Sequence, residues 1–473
     1  MTEQVRHLLR DSKAVRWTAL MLVSLTMLAA YFFVDMIAPL QKLLEINYKW
    51  DPETYGFFSG SEYMLNVLGF LILSGIILDK MGIRFTAMTA TITMLSGGLI
   101  KLYGLTAYFN AGGFGFDFFN SFWTGMPASA KLAALGYAIF GIGVEMCGIT
   151  VSKAIVKWFK GKELALAMGM EMATARMGAS IAFFFSATMA GYSETVVDGK
   201  TLIGGNVLNS VWVGVAFLSI GFLTMLVYTF MDSRLDKQLG QEAIEGGSDE
   251  FHIKDLGKIF TNPGFLAISA LCVLFYSGVF PFLKYAVNMM QNKLNVSAEV
   301  GGIISGLLPV GTILLTPLIG NYYDRKGKGA TMLIIGAVLL MIAHLSFALA
   351  PLTMFLAIAS IIVLGISFSL VPASLWPSIP KIVEDRYLGS AYAVIFWIQN
   401  IGLMLFPWLI GVILNAVNPG VAEKIAKGEQ ATYNYTIPML VFAALGLSAV
   451  LLGFFLKMID RKKGYGLEKP NRA

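Results

Sequence analysis

The sequence predicts an all-α protein that crosses a membrane twelve times in two related six-helix halves. Three observations carry that prediction: the composition, the lengths of the apolar runs, and a loop motif that occurs twice. Of 473 residues, 56% are hydrophobic and only 14% charged, where ordinary globular domains run near 25% charged. A chain so poor in charge cannot cover an apolar core with polar surface, so lipid is the expected solvent. A spanning helix needs about 20 mostly apolar residues to cross roughly 30 Å of hydrocarbon. Runs of that kind lie at 17–40, 55–78, 84–104, 132–153, 164–190, 207–231, 264–288, 301–322, 330–350, 352–376, 388–414 and 436–458.

The first span follows a basic start, Arg6 to Arg16, which sets its orientation. Lys and Arg are retained on the cytoplasmic side of short loops. With the N-terminus inside, the cytoplasmic segments hold twenty-five of the 35 basic residues and the opposite segments seven. Lys101 falls at the outer end of span 3, and Arg176 and Lys284 fall inside spans. Both termini are therefore expected in the cytoplasm, and the net charge of +6 reflects sidedness rather than a nucleic-acid partner. Cys147 and Cys272 lie within spans, and His7, His252 and His344 are scattered. Neither a disulfide framework nor a metal site is expected. No nucleophile with a base and no phosphate-binding loop suggests an enzyme, and no cofactor is implied. A monomer in a lipid bilayer is expected.

The loop after span 2 reads GIILDKMGIR, with Gly75, Asp79, Lys80, Gly82 and Arg84. The loop after span 8 reads GNYYDRKGKG, with Gly320, Asp324, Arg325 and Gly327. Both fit G-x-x-x-D-[KR]-x-G, where glycine permits a tight turn and the carboxylate can hold the loop to a neighbouring helix end. ELALAMG opens span 5 and YLGSAYA opens span 11 as a second pair. The spacing between partners shrinks from the first pair to the second, and the long 105–130 connection between spans 3 and 4 accounts for it. On this register Arg176 corresponds to Asn400. The expected organisation is an N-terminal bundle at 1–231, a cytoplasmic linker at 232–262 carrying EGGSDE, and a C-terminal bundle at 263–473. Within the linker, FHIKDLGKIF at 251–260 reads as a tether or as a short amphipathic surface helix.

These features resemble the major facilitator superfamily. The resemblance implies the major facilitator fold, two pseudo-symmetric bundles around a central cavity, and alternating access by rocking of one bundle against the other.

An ionisable group within a span costs about 2.5 to 3.5 kcal/mol at mid-helix and reads as functional. The candidates are Asp35, Glu62, Glu145, Glu171, Arg176 and Lys284. Arg176 falls near the midplane of span 5, about 20 Å from either end at 1.5 Å per residue. Glu145 lies in span 4. Glu171 and Arg176 are five residues apart, roughly 140° around the helix, so only one can point squarely into a cavity. Arg176 is preferred because a guanidinium clamps a carboxylate through two parallel hydrogen bonds. The competing reading is a buried ion pair of Arg176 with Glu145 or Glu171. Lys284 follows Phe280-Pro281-Phe282 and could pair with Asp35 or Glu62 as an outer gate, bind substrate, or snorkel outward. Tyr31, Tyr63, Tyr276, Trp376, Tyr392, Trp397, Gln399 and Asn400 would complete a cavity wall. His344 is expected to satisfy a neighbouring helix.

A ligand with an ammonium at one end and a carboxylate at the other would neutralise Glu145 and Arg176 together. A dipeptide spans about 7 Å backbone to backbone. The stretches YFFVDMIAPLQ, FGIGVEMCG, WFKGKELALAMGMEMATARMG, YSGVFPF, SLWPSIP and LGSAYAVIFWIQNIGL resemble the lysosomal dipeptide uniporter branch of the superfamily. In that branch a glutamate in FGIGxE and an arginine in x-x-A-R-x-G bind the peptide termini, which implies these roles for Glu145 and Arg176. Glu62, Glu171 and Lys284 depart from the family pattern, so proton coupling stands beside uniport. Leu8-Leu9 lacks an acidic residue four positions upstream, so no lysosomal sorting address is expected and a bacterial cytoplasmic membrane is. The alternative function is proton-coupled transport of organic anions or sugar acids.

Overall fold

Hydrocarbon offers no hydrogen-bond partner to a free backbone group, so an apolar run that crosses it must close its own bonds as a helix. The computed structural model describes residues 8–197, 200–239 and 256–470. The EGGSDE centre of the linker, the first half of FHIKDLGKIF, and Arg6, His7, His252, Lys254 and Arg472 lie outside the described residues. The second half of that stretch is a short helix, Leu256–Phe260.

Ten helices among the described residues are long and apolar enough to cross a membrane. One of them, Pro52–Gly104, has 53 residues and at about 1.5 Å per residue is far too long for one crossing. It breaks at Gly82, where φ is 77° and ψ 174°, and so forms spans 2 (52–81) and 3 (83–104). The remaining helix, Leu164–Met189, carries Glu171 and Arg176 and completes a set of twelve. The others are span 1, Lys13–Asp35; span 4, Ala128–Trp158; span 6, Val207–Leu239; and span 7, Pro263–Leu294. They continue with span 8, Ala298–Lys326; span 9, Gly329–Leu349; span 10, Met354–Ile382; span 11, Leu388–Val417; and span 12, Thr436–Lys463. Both ends of the described chain thus lie on one face, here the termini face; the opposite face is the distal face.

The motif loops lie at the termini face, and each is latched. Asp79 accepts from Lys153 Nζ of span 4 at 2.8 Å. Gly82 takes the positive φ that the turn requires, and Arg84 reaches Asp236 at 3.4 Å. In the second loop Gly327 has φ 69°, and the C-terminal segment closes over it: Lys328 and Gly329 donate their backbone N–H groups to Glu468 and Leu467. At the distal face span 1 runs on through Ala38–Leu40 into a helix, Gln41–Tyr48. Two strands, Ser193–Val197 and Lys200–Gly204, form an antiparallel pair between spans 5 and 6.

Small residues bring the two halves together, and all on the distal side. A Cβ on Gly56 would lie 2.3 Å from Pro407 O, on Gly60 2.1 Å from Met404 O, and on Gly411 2.1 Å from Pro52 O, so spans 2 and 11 touch backbone to backbone. Spans 5 and 8 do the same, with Gly302 against Phe183 O at 2.2 Å. Hydrogen bonds add to the seam: Tyr55 Oη donates to Lys284 O at 2.8 Å, Tyr285 Oη reaches Pro52 O at 3.2 Å, and Asn415 donates to Asp51. Tyr433 donates to the buried Glu45.

Toward the termini face the halves part. The ion pairs Arg16–Glu163, Lys162–Asp11, Lys153–Asp79, Lys157–Asp232 and Lys457–Glu468 each stay within one half. A cleft of about 420 Å³ separates span 2 from the start of span 11, between Ile72, Asp79, Gly389 and Phe396. In span 5, Ala165, Leu166, Met168, Gly169, Met170 and Met172 are all exposed. The molecule is therefore closed at the distal face and open at the termini face.

Candidate substrate site

Two close helix contacts within the N-terminal half position the charged groups. Gly178 lets span 5 approach span 1, a Cβ there falling 2.1 Å from Leu28 O. Two residues back along span 5, Arg176 stands beside Tyr31. Gly141 does the same between spans 4 and 2, where a Cβ would lie 1.8 Å from Glu62 O. Glu145, one turn further along span 4, is thereby held near Glu62 and Tyr31.

Arg176 is half-buried, and its guanidinium carbon stands 5.0 Å from the centroid of the Phe368 ring on span 10. Its polar neighbours are Tyr31, Tyr276 and Glu171. No carboxylate among the described residues lies within 4.0 Å of it. The buried ion pair with Glu145 or Glu171 is thus not formed. Glu145 is also half-buried and without a cation within that distance; Asn400 of span 11 stands beside it. Asn400 gives its Nδ2 to Phe396 O at 3.0 Å, while its buried Oδ1 has no protein partner. Tyr31 has both Arg176 and Glu145 among its charged neighbours, so the two charges share one region between the halves.

The wall from spans 7, 10 and 11 is aromatic. Trp376 Nε1 donates to Tyr276 Oη at 3.0 Å, which leaves the Tyr276 proton free for another acceptor. Tyr392 donates to Trp376 O at 3.2 Å, and Phe396 stacks on Trp376 at 4.7 Å. Gln399 receives the Cys272 thiol at 3.5 Å, and Trp397 is occupied by Val67 O at 2.8 Å. His344 lies outside the site, bonded to Gly278 O at 2.8 Å and stacked on Phe442.

A second charged group sits on the distal side. Lys284 Nζ is 2.9 Å from Asp35 Oδ1, 3.0 Å from Val34 O and 4.0 Å from Glu62 Oε2. All three side chains are buried, so Lys284 does not snorkel. Glu171 stands apart from this group, toward the termini face near Arg176 and Cys147. Three residues of this region escape a reading of the sequence. Phe368 is one apolar residue in an apolar span. Tyr137, whose hydroxyl meets both Glu62 and Val34, looks like ordinary packing. Lys101, expected at the outer end of its span, is instead fully buried, because Phe33 and Tyr137 (ring centroids at 4.3 Å) and Phe58 (5.1 Å) close over it. Outside the membrane, Glu163 is held below the ordinary carboxylate range, first by its own backbone N–H and then by Arg16.

A mouse protein (Mus musculus) described as lysosomal dipeptide transporter MFSD1 is 27% identical over 410 residues, covering 85% of this chain and 81% of the relative. The uncharacterized MFS-type transporter YwfA of Bacillus subtilis (strain 168) is 26% identical over 356 residues, 72% of this chain and 79% of that one. Among solved structures, a bacterial homologue of the human lysosomal transporter Spinster superposes with a TM-score of 0.67 at 13% identity, covering 94% of this chain and 98% of that one; this likeness concerns the fold alone. The Major Facilitator Superfamily model matches residues 23–407 and 276–471. A membrane-embedded cleft between two six-helix halves, closed at one face and open at the other, is what a transporter of this kind needs, and the chain belongs to the Major Facilitator Superfamily.

Proposed function

We propose that this transporter carries dipeptides by alternating access, with Glu145 holding the peptide ammonium and Arg176 its carboxylate. The observation that carries the reading is that both charges stand half-buried near Tyr31 and neither has an ionic partner among the described residues. An unpaired charge away from water is costly, and a zwitterion of about 7 Å between its ends relieves both at once. Tyr31, Tyr276, Trp376, Gln399 and Asn400 line the rest of the site, Tyr276 with a free hydroxyl proton and Asn400 with a free carbonyl. The name of the mouse relative points to the same substrate class.

On this reading the two bundles, the first ending with span 6 at Leu239 and the second beginning with span 7 at Pro263, rock about the site. The motif loops Gly75–Arg84 and Gly320–Gly327 re-form contacts as the termini face opens and closes. The bias of Lys and Arg supports a cytoplasmic position for that face, in a bacterial cell on this reading, which makes the present state inward-facing. The Asp35–Lys284 pair then acts as the outer gate. The protein works as a monomer.

The test is thermal stability of the detergent-purified protein against dipeptides, single amino acids, sugars and organic anions. A ligand at about 100 times its Kd stabilises the folded state by about 2.7 kcal/mol. Stabilisation by dipeptides, lost in Arg176→Ala, is expected. Stabilisation by sugar acids or other monoanions and not by dipeptides would replace this reading with an anion carrier.

A further inference from the structure

The hydroxyl of Tyr137 lies 2.8 Å from Val34 O and 2.7 Å from Glu62 Oε2. A phenol carries one proton, a carbonyl oxygen carries none, and an ionised carboxylate only accepts. With Glu62 ionised, the single phenol proton would have to be shared between two acceptors in a buried place. Both are full two-centre hydrogen bonds when the phenol donates to Val34 and a carboxylic acid at Glu62 donates to the phenol. Val34 O also receives Lys284 Nζ at 3.0 Å, so both its lone pairs are used. The pairing of charges agrees: Lys284 bonds Asp35 at 2.9 Å and stands off from Glu62 at 4.0 Å. Lys101 makes no hydrogen bond, being enclosed by rings rather than by carboxylates.

We propose that Glu62 takes up one proton before the distal seam closes and carries it into the state described here, and that this proton crosses the membrane with the substrate, so that transport is proton-coupled. The inference rests on the dipeptide reading for its cargo. When the seam opens, Lys284 departs with span 7 and Glu62 meets external water. A hydronium ion then gives its proton to a Glu62 carboxylate oxygen and becomes water, and the neutral acid allows the seam to close. In the inward-facing state the proton returns to cleft water. Glu145, the next carboxylate toward the site, marks the way out. Among the described residues the charged and titratable groups around Glu62 are Tyr31 and Asp35 of span 1, Lys101 of span 3, Tyr137 and Glu145 of span 4, Lys284 of span 7, and Tyr63 of its own helix. Span 11 presents the Met404 backbone there. The proton is transferred without electrons, and each cycle moves one.

The experiment uses proteoliposomes, labelled alanyl-alanine and a clamped membrane potential, with the outside about two pH units more acidic than the inside. One proton per dipeptide permits accumulation up to about a hundredfold, one decade per pH unit. The wild type is expected to concentrate the dipeptide several-fold or more. Glu62→Gln, which can still donate to Tyr137 but cannot ionise, is expected to stop at equal concentrations while keeping counterflow exchange. Wild-type uptake that halts at equal concentrations with counterflow intact would overturn the coupling and leave the transport reading standing. Accumulation by Glu62→Gln at the wild-type level would remove Glu62 as the carrier. Absence of counterflow in the wild type would remove the dipeptide reading and this inference together.

Discussion

Replacing Lys284 with Met should open the distal seam. Lys284 and Asp35 are 5% and 7% exposed and 2.9 Å apart, and they belong to opposite halves. Removing one partner of such a pair costs about 3 to 5 kcal/mol, because the other charge stays buried and unpaired. Only the distal-closed state buries Asp35 against span 7, so the loss falls on that state. At about 1.4 kcal/mol per decade, the closed-to-open ratio should fall between about a hundredfold and a few thousandfold. A cysteine placed at Ser59, buried in span 2 near Tyr55, reports the change through its labelling rate with a membrane-impermeant maleimide. The rate should rise steeply in Lys284→Met and return toward that of the wild type when Asp35→Asn is added, since the orphaned charge is then gone. A rate in Lys284→Met equal to that of the wild type would refute the argument that this pair holds the seam.

Phe368→Leu removes the ring beneath Arg176 and should weaken dipeptide binding by about two- to thirtyfold, from a cation–π contribution of roughly 0.5 to 2 kcal/mol, as read by a thermal-shift titration. Gly302→Ala puts a Cβ 2.2 Å from Phe183 O and should also speed labelling at position 59, by wedging spans 5 and 8 apart. The Glu163 carboxyl lies below its ordinary value when folded. Its stabilisation by Arg16 is therefore complete at neutral pH and lost as pH falls through the lowered value, so the melting-temperature difference between wild type and Arg16→Gln should shrink in acid.

The spans were legible because the cost of unpaired backbone in lipid leaves one solution for an apolar run of 20 residues. The motif loops were legible because glycine and a carboxylate–base pair must occupy fixed places in a tight turn. The in-span charges stood out by their cost alone. What each charge meets was not legible, because depth along a helix says nothing about rotation between helices. Whether Lys284 pairs with Asp35 or Glu62, and that Arg176 faces Phe368 rather than an acid, depend on glycine contacts such as Gly178 on Leu28 and Gly141 on Glu62. Lys101 was placed at the outer end of span 3 because only Leu102 and Tyr103 separate it from Gly104. Its burial comes from three aromatic residues on other spans. The strand pair after span 5 did carry a signal, the Asp198-Gly199 dipeptide between β-branched runs, which the membrane reading passed over.

The central claim is that Glu145 and Arg176 hold the two ends of one peptide. Counterflow of labelled alanyl-alanine, competed by its N-acetylated and its C-amidated forms, tests it directly. The wild type should reject both blocked forms. Glu145→Gln should lose its discrimination against the acetylated form while still rejecting the amide, and Arg176→Gln should do the reverse. Equal competition by both blocked forms and the free dipeptide in the wild type would contradict the account.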